Sequence, residues 1–258
     1  MDIINSEQNH WIKKLKALHK RKYRQELNQF VIEGFRFCEE ALKSQANIEC
    51  LLVSDELLDN DSIKNLLLMY EKEYFVVNNK LLAKNLFTVN PQGIAAIINK
   101  PQWDIKEVYE KELILIIDGV QDPGNLGTIF RTALGAGVGA IFCIKGTVDI
   151  YNEKTLRSTM GAIFSLPIFY IENPTQLSDK LKNEQFTVVV ADINGTEEHF
   201  SYNYPKKVAV VLGNEANGPL NFKKGDITIS IPLDPKAESL NVAVAAGIII
   251  YEIVRQHR

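Results

Sequence analysis

The feature that most constrains the fold is a series of short, almost wholly apolar segments in the second half of the chain. Residues 113–117 read Leu-Ile-Leu-Ile-Ile, and similar segments follow at 140–144, 168–171, 186–191, 208–212 and 227–231. Helical patterns separate them. Strands that are apolar along their whole length are typical of a parallel sheet with helices on both faces. Residues 112–258 are therefore predicted to form an α/β domain around a mainly parallel sheet.

The first 100 residues predict a second, smaller α/β domain. Strand patterns at 30–32, 48–53, 74–77 and 94–98 alternate with helical patterns at 34–43, 63–70 and 79–85. Ser6 is the expected N-cap of a first helix that runs to about Leu27. Residues 101–111 are polar, charged and begin with a proline, so they are interpreted as a linker.

Charge is distributed unevenly along the chain, although the net charge is only −3. Residues 10–24 contain seven Lys or Arg, interspersed with aromatic side chains, and no acidic residue. Such a stripe suits the phosphate backbone of a nucleic acid, but it is also typical of a solvated helix face. The candidate nucleic-acid contacts in this stripe are Lys13, Lys14, Lys20 and Arg21.

Several classes of protein are disfavoured. Cys38, Cys50 and Cys143 are scattered and form no CxxC pair, which argues against a disulfide framework and a zinc site. The charged N-terminus does not resemble a secretory signal. The apolar run at 242–251 is too short to cross a bilayer. A soluble cytoplasmic protein without a bound metal is expected.

Three polar motifs follow predicted strands. Residues 118–131 read DGVQDPGNLGTIFR, residues 212–218 read LGNEANG, and an Ile-Pro pair at 231–232 precedes ESLNVA at 238–243. In open α/β sheets, ligands bind beyond the carboxyl ends of the strands. The three motifs therefore predict one site that is assembled from separate loops.

The first motif joins a strand to a helix. Pro123 and Gly124 predict a tight turn, and Asn125 is the expected N-cap of a helix that begins near residue 126. Arg131 lies among apolar neighbours, so its charge is expected to point into a cleft. No G-x-G-x-x-G follows the strand and no Gly-Lys-Ser/Thr is present, which argues against a dinucleotide site and a P-loop.

The other two motifs supply further polar groups. Gly213 is interpreted as allowing the backbone to approach a ligand closely, and Glu215 places a carboxylate just after a strand end. Ser239 is the expected N-cap of a final helix over 239–255. The middle of that helix is apolar nearly all round, which predicts burial on most sides.

The order and the residues of the three motifs resemble those of the SpoU/TrmH family of RNA ribose 2′-O-methyltransferases, in the SPOUT superfamily. The resemblance is close over residues 111–258. In the N-terminal part, the segments 33–36 (EGFR) and 91–94 (PQGI) resemble the ribosomal-protein-like substrate-binding domain that is common in this family. The segment RSTMGA at 157–162 is also similar to the family, and Arg157 either contacts RNA phosphate or packs the loop.

The resemblance implies a function and a set of site residues. The implied reaction is methyl transfer from S-adenosylmethionine to a ribose 2′-hydroxyl of structured RNA, with ribosomal RNA favoured over transfer RNA. The resemblance also implies a homodimer with a C-terminal trefoil knot. The implied catalytic residues are Asn125, Arg131, Glu215, Ser239 and Asn241. The implied cofactor contacts are Leu212, Gly213, Asn214, Ile231, Leu240 and Asn241. Arg36 and Arg157 join the candidate RNA contacts.

Two questions stay open at this level. Arg131 is the family's candidate proton acceptor, but an arginine is a poor base because its pKa exceeds about 12. It either is strongly perturbed in the complex or orients the hydroxyl and its neighbouring phosphate. A transfer RNA methyltransferase, an RNA-binding dimer without catalysis and an enzyme acting on a base nitrogen are the competing functions.

Overall fold

The computed structural model describes residues 2–214, 218–222 and 225–258, so that Glu215 lies outside the described residues. The chain forms two compact units. One consists of Met1–Gln102 together with Tyr151–Phe164, and the other of Trp103–Ile150 together with Ser165–Arg258. The two units are described separately below.

Ten helices and eleven strands are found among the described residues. The helices are α1 (His10–Leu18), α2 (Arg21–Glu26), α3 (Phe35–Lys43), α4 (Asp61–Met69), α5 (Asn79–Lys84), α6 (Ile105–Val108), α7 (Pro123–Ala136), α8 (Glu153–Thr159), α9 (Pro174–Asn183) and α10 (Val242–His257). The strands are β1 (Gln29–Glu33), β2 (Ile48–Ser54), β3 (Phe75–Val77), β4 (Ile94–Asn99), β5 (Leu113–Asp118), β6 (Ala140–Ile144), β7 (Ile168–Ile171), β8 (Thr187–Ala191), β9 (Glu197–Glu198), β10 (Val208–Gly213) and β11 (Ile227–Ser230). Short 3₁₀ helices cover Asp55–Leu57 and Ala162–Phe164.

The first unit is built on a four-stranded sheet in the order β1-β4-β2-β3. β4 runs antiparallel to both of its neighbours, and β2 and β3 are parallel. Helix α1 places Ile12, Leu15 and Leu18 into a core cluster that includes the sheet residues Leu52 and Ile97. The predicted alternation of strands and helices in this part of the chain is therefore present.

The single long basic helix expected at the N-terminus is wrong in two respects. Its N-cap is Asn9, whose side chain accepts a hydrogen bond from the Trp11 N–H at 2.8 Å, and not Ser6. The helix also stops at Leu18, and a separate α2 follows. The buried guanidinium of Arg24 donates to the carbonyl oxygens of Leu18 and His19, at 2.9 and 2.8 Å. These bonds satisfy carbonyls that a continuous helix would have used internally.

The segment 151–164 completes the first unit, although it lies about 50 residues beyond the strand β4 in sequence. The rings of Tyr151 and Phe164 pack on Phe30, with centroid distances of 4.8 and 6.4 Å, and Phe164 also meets Phe37 at 5.6 Å. Phe30 is fully buried in this aromatic cluster. The sequence analysis predicted a small domain that consists of the first 100 residues only. It did not predict that residues 151–164 belong to the same unit.

The second unit contains a seven-stranded sheet in the order β7-β6-β5-β10-β8-β11-β9, in which every paired neighbour is parallel. Residues 114–117 of the interior strand β5 are all fully buried, so both faces of the sheet are covered there. Ile114 and Ile116 share a core cluster with Leu177 and Leu181 of α9. Helix α10 packs against α7 and β10. The predicted α/β fold with a mainly parallel sheet is confirmed.

Three smaller features differ from or extend the expectations. The interpreted linker contains the short helix α6, which Asp104 caps by accepting a hydrogen bond from the Lys106 N–H. Burial raises the pKa of the thiols of Cys50 and Cys143 to about 12, so both are protonated at neutral pH. None of the helices in the described ranges is both long and apolar enough to cross a membrane.

We expect Phe164→Ala to lower the free energy of unfolding of the first unit by about 3 kcal/mol, because it removes a buried ring and leaves a cavity beside Phe30. Trp11 and Trp103 are the two tryptophans of the chain, and Trp11 lies in the first unit. Urea unfolding in a Trp103→Phe background, followed by Trp11 fluorescence, measures the change. The exposed Leu68→Ala is the control and should shift stability by less than about 0.5 kcal/mol. Equal effects of the two variants would contradict the assignment of residues 151–164 to this unit.

Candidate functional site

The first motif begins where β5 ends, at a fully buried carboxylate. Asp118 accepts three hydrogen bonds from the chain that follows β10: from the Asn221 N–H at 2.5 Å, the Asn221 side-chain amide at 2.7 Å and the Phe222 N–H at 2.8 Å. A buried carboxylate is stable in a protein only when such donors satisfy it. Asp118 therefore fixes the loop of the second motif against the first.

A second connection between these two motifs lies one residue further along. The side-chain amide of Asn214 donates to the Gly119 carbonyl oxygen at 3.1 Å, and the Gly119 N–H donates to the Thr147 hydroxyl at 3.1 Å. Gly119 has a φ of +88°, and a Cβ at this position would lie 2.9 Å from the Leu220 side chain. Only glycine fits this backbone conformation and this space without strain.

The helix of the first motif has a different N-cap from the expected one. Asp122 caps α7 by accepting a hydrogen bond from the Asn125 N–H at 2.7 Å, and Pro123 occupies the first turn, where its fixed φ suits a helix. Asn125 therefore lies inside the helix. Its side-chain oxygen accepts a hydrogen bond from the side-chain amide of Asn241 at 2.8 Å, which joins the first motif to the third.

The third motif also has a different N-cap. Asn241 caps α10, accepting hydrogen bonds from the N–H groups of Ala243 at 2.9 Å and Val244 at 3.3 Å. The prediction that Ser239 caps this helix is wrong, because the chain becomes helical only at Val242. The oxygen of the Asn241 amide thus holds the helix start while its nitrogen holds Asn125.

The second and third motifs line a cavity of about 530 Å³ beyond the carboxyl ends of β8, β10 and β11, and no described residue of the first motif lies in its wall. Six of the sequence-predicted residues line it: Leu212, Gly213, Asn214, Ile231, Ser239 and Leu240. Asn125, Arg131 and Asn241 do not line it. Asn241, which was also an expected cofactor contact, is therefore not part of the cavity wall. It caps α10 and forms a hydrogen bond to Asn125 instead.

Gly213 has a different structural role from the one expected. A Cβ on Gly213 would lie 2.1 Å from the Pro219 nitrogen and 2.2 Å from the Gly218 carbonyl carbon. The glycine is therefore required by the close return of its own loop, and ligand approach is not needed to explain it.

The electrostatic character of the cavity comes from two residues that were not among the predicted site residues. Asp192 and Glu238 line it, and no Lys, Arg or His is found among its described lining residues. Asp192 is held in place because its Oδ1 accepts a hydrogen bond from the Asn194 N–H at 2.8 Å, and its own N–H donates to the Ile229 carbonyl. The available signal in the sequence was a polar Asp-Ile-Asn-Gly segment directly after an apolar strand.

Arg131 is exposed on α7 and makes no hydrogen bond or ion pair with the residues that the structure describes. The expectation that its charge points into a cleft of the same chain is therefore wrong. The neighbouring apolar residues of α7 that prompted this expectation, Ile129 and Phe130, are fully buried in the core, whereas Arg131 is exposed.

The candidate RNA contacts in the first unit differ in availability. Lys13, Lys20, Arg21 and Arg36 are exposed. Lys14 is largely buried and pairs with Glu49 at 3.3 Å, so it is committed within the fold. Arg157 forms an exposed ion pair with Glu153 at 3.2 Å. Burial lowers the pKa of His19, which stacks on Phe87, so this histidine adds no charge to the stripe at neutral pH.

Comparison with known proteins identifies the family. Residues 112–251 match the SpoU rRNA Methylase family, and residues 9–96 match the MRM3-like substrate binding domain. The chain belongs to the SpoU methylase family. Among its relatives, the 23S rRNA (guanosine(2553)-2′-O)-methyltransferase RlmP of Bacillus subtilis (strain 168) is 35% identical over 98% of this chain and 99% of that protein.

Solved structures agree with this family assignment over both units. The SpoU methyltransferase AviRb from Streptomyces viridochromogenes, in complex with AdoMet, has a TM-score of 0.87 and 26% identity, covering 97% of this chain and 98% of that one. An rRNA methyltransferase from Sinorhizobium meliloti has a TM-score of 0.83 and 26% identity, covering 99% and 98%.

We expect Asn241→Asp to lower the free energy of unfolding of the second unit by roughly 0.5–1 kcal/mol. Aspartate caps a helix as well as asparagine does, but it cannot donate to Asn125, and it brings a charged oxygen against the Asn125 oxygen. Urea unfolding followed by Trp103 fluorescence in a Trp11→Phe background measures the change. In an Asn125→Ala background the same substitution should cost almost nothing. An equal cost in both backgrounds would show that the bond between the motifs contributes no stability.

Proposed function

We propose that this protein transfers the methyl group of S-adenosylmethionine to a ribose 2′-hydroxyl of ribosomal RNA. The observation that carries the proposal is the cavity at the carboxyl ends of β8, β10 and β11, in a chain of the SpoU methylase family. The second and third motifs line this cavity, and the first motif is hydrogen-bonded to the third motif and to the chain that follows the second. The RNA substrate named for RlmP and the AdoMet named for AviRb support the same reaction.

The cavity fits S-adenosylmethionine by its shape and its charge. Its volume of about 530 Å³ is in the range of small-molecule sites. The cofactor carries a sulfonium and an ammonium group against one carboxylate, so it has a net positive charge. A wall that contains Asp192 and Glu238, and no basic residue among those described, attracts such a ligand. The backbone around Gly213, Ile231 and Leu240 is the proposed contact for its neutral parts.

The residues of the chain then have to position the hydroxyl and remove its proton. S-adenosylmethionine supplies an electrophilic methyl group, to which the 2′-oxygen bonds as the carbon–sulfur bond breaks and the hydroxyl proton leaves. Arg131 is proposed to bind the phosphate next to the target ribose and to orient the hydroxyl, because its exposed guanidinium is free of partners within the described part of the chain. With a pKa above about 12, an arginine is suited to hold an anion and unsuited to accept a proton.

The other candidate catalytic residues are proposed mainly to hold the motifs of the site in position. Asn125 and Asn241 hold the first and third motifs together, and Ser239 lies in the cavity wall. Holding reactants in the correct geometry supplies a large part of the rate enhancement in many transfer reactions. Glu215, which lies outside the described residues, stays a candidate from the motif alone.

The first unit is proposed to bind the RNA. Lys13, Lys20, Arg21 and Arg36 are exposed cations in the part of the chain that matches the substrate binding domain. Such cations provide affinity for phosphates that depends on salt and carries no sequence information. We place the protein in the cytoplasm, where ribosomal RNA is found.

We also propose that the protein is a homodimer through α10, with the C-terminal trefoil knot that the family resemblance implies. The prediction that α10 is buried on most sides is only partly met by a single chain. Val244, Ile248 and Tyr251 are 51, 36 and 50% exposed and repeat at helical spacing, and Leu134 of the adjacent α7 is 40% exposed. A continuous apolar stripe across two packed helices suits a self-complementary two-fold contact.

The proposed reaction is tested by incubating the protein with S-adenosylmethionine and either transcribed 23S rRNA or transfer RNA. We expect a methylated nucleotide in the 23S rRNA at which the following phosphodiester resists alkaline hydrolysis, because that cleavage requires a free 2′-hydroxyl. An alkali-sensitive product would indicate methylation of a base. Methylation of transfer RNA alone, or of neither RNA, would reject the proposed substrate or the proposed catalysis.

In the same assay, Arg131→Ala should slow single-turnover methylation roughly 100- to 1000-fold, the usual effect of losing one positioned charged group. Affinity for S-adenosylmethionine should change little, because Arg131 does not line the cavity. Arg131→Lys should restore little activity, since an ammonium cannot reproduce a planar bidentate donor. Arg255→Ala, which removes another exposed arginine of the second unit, is the control. A near-normal rate for Arg131→Ala would remove this residue from the mechanism.

We expect Val244→Asp to convert the dimer into a monomer at micromolar concentration, because it places a charge in the proposed apolar contact. Val244 lies in the first turn of α10, where an acidic residue is compatible with the helix dipole, so the helix itself should persist. Sedimentation velocity measures the change, and Leu68→Asp on an exposed site of the first unit is the control. A wild-type monomer, or a variant that still dimerises, would place the contact elsewhere or exclude it.

A further inference from the structure

Two carboxylates lie in the wall of the cavity that is proposed to hold S-adenosylmethionine, and they differ in their exposure to water. Asp192 is half-buried at the carboxyl end of β8, whereas Glu238 is exposed in the segment before α10. Water and salt screen an exposed charge more strongly than a partly buried one. Among the described residues, Asp192 is therefore the stronger source of negative potential in the cavity.

The carboxylate of Asp192 is held in a defined place. Its Oδ1 accepts a hydrogen bond from the Asn194 N–H at 2.8 Å, and the Asp192 N–H donates to the Ile229 carbonyl oxygen at 3.0 Å. Its Oδ2 accepts no hydrogen bond from the described residues, and it lies 3.7 Å from the position that a Cβ on Gly218 would take. Gly218 also lines the cavity. The charge is thus fixed beside another residue of the wall.

The methyl donor and the product that remains after the proposed reaction differ in charge. When the methyl carbon bonds to the ribose oxygen, the sulfur keeps the electron pair of the carbon–sulfur bond and the sulfonium becomes a neutral thioether. The ammonium and the carboxylate are unchanged. S-adenosylmethionine therefore has one net positive charge, and S-adenosylhomocysteine has none.

The cavity is small enough for Asp192 to act on any part of a bound ligand. Its volume of about 530 Å³ is that of a sphere about 10 Å across, which is small even among ligand sites. The sulfur of a ligand inside it lies within roughly this distance of the wall, close to the screening length of about 8 Å in physiological salt. A direct contact between the carboxylate and the sulfonium is not required for the carboxylate to distinguish the two ligands.

We propose that Asp192 makes this cavity bind S-adenosylmethionine in preference to S-adenosylhomocysteine. This inference rests on the proposed function, since it requires the cavity to be the cofactor site. The fixed carboxylate attracts the ligand that carries the additional positive charge, and this attraction is lost once the methyl group has been transferred. The product is therefore released more readily than the methyl donor. Asp192 determines ligand specificity and is assigned no part in the chemical step.

Calorimetric titration of the full-length wild-type protein is the first test. We expect S-adenosylmethionine to bind about tenfold more tightly than S-adenosylhomocysteine, the effect of one partly screened charge at this distance. Sinefungin, in which a protonated amino group replaces the charged sulfonium centre, should also bind more tightly than the product. These measurements do not depend on the folding of any variant. Equal affinities for the three ligands, or a preference for the product, would overturn the inference.

Asp192→Asn should abolish the preference. Asparagine removes the charge but keeps an oxygen that can accept the hydrogen bond from the Asn194 N–H, so the turn should keep its shape. We expect the affinities for S-adenosylmethionine and sinefungin to fall about tenfold, and the affinity for S-adenosylhomocysteine to change by less than about twofold. The matched control is Glu238→Gln, which removes an exposed charge from the same wall and should change the preference by less than about twofold.

Three results with Asp192→Asn would contradict the inference. An equal loss of affinity for all three ligands would show that Asp192 binds a group that they share, such as a ribose hydroxyl. A loss for S-adenosylmethionine without a loss for sinefungin would assign the effect to the methyl group and not to the charge. Equal effects of Asp192→Asn and Glu238→Gln would make the preference a property of the whole cavity.

The outcomes for the inference and for the proposed function are distinguishable. If the wild-type protein methylates 23S rRNA but binds S-adenosylmethionine and S-adenosylhomocysteine equally, the role of Asp192 is wrong and the proposed reaction stands. If the protein binds none of the three ligands and methylates no RNA, the proposed function itself fails.

Discussion

The buried carboxylate of Asp118 is the interaction on which the rest of the site depends. It ends the interior strand β5 of the parallel sheet and accepts hydrogen bonds from three N–H donors in the loop that follows the neighbouring strand β10. Loops at a sheet edge are costly to order, because each fixed residue loses conformational freedom. Charge-assisted hydrogen bonds from a residue anchored in the core offset that loss. The loop therefore has a defined shape before any ligand arrives.

Much of the polar content of the three motifs serves this assembly. Asn214 binds the Gly119 carbonyl, Asn241 binds Asn125, and Gly213 allows its loop to fold back on Pro219. In the sequence analysis, Asn125, Gly213, Asn214 and Asn241 were expected to serve ligand binding or catalysis. A motif thus specifies a rigid frame as well as reactive groups. Of the two carboxylates that give the cavity its negative character, Glu238 begins the ESLNVA segment of the third motif and Asp192 lies outside all three motifs.

The sequence predicted well what depends on local pattern. Six of the seven described strands of the second unit were located within a residue or two, because buried parallel strands are read from apolar runs of that length. The seventh, β9, consists of two glutamates at the sheet edge and has no apolar pattern. The N-caps were less well determined. Asp122 and Asn125, and likewise Ser239 and Asn241, are all good capping residues a few positions apart, and only the path of the backbone chooses between them. The exposure of Arg131 and the packing of Phe164 on Phe30 depend on distant parts of the chain, which no local pattern encodes.

The place of residues 151–164 in the first unit has a consequence for how the chain is made and how it evolves. Domains of a nascent chain usually fold in order, the N-terminal one first. Here the first unit lacks the cover for Phe30 until residue 164 has been synthesised, by which time two strands of the second unit have also emerged. The two units therefore mature together. For the same reason, a recombination event that exchanged only the first hundred residues would transfer an incomplete substrate-binding unit, so the unit and this short segment are expected to be inherited as a pair.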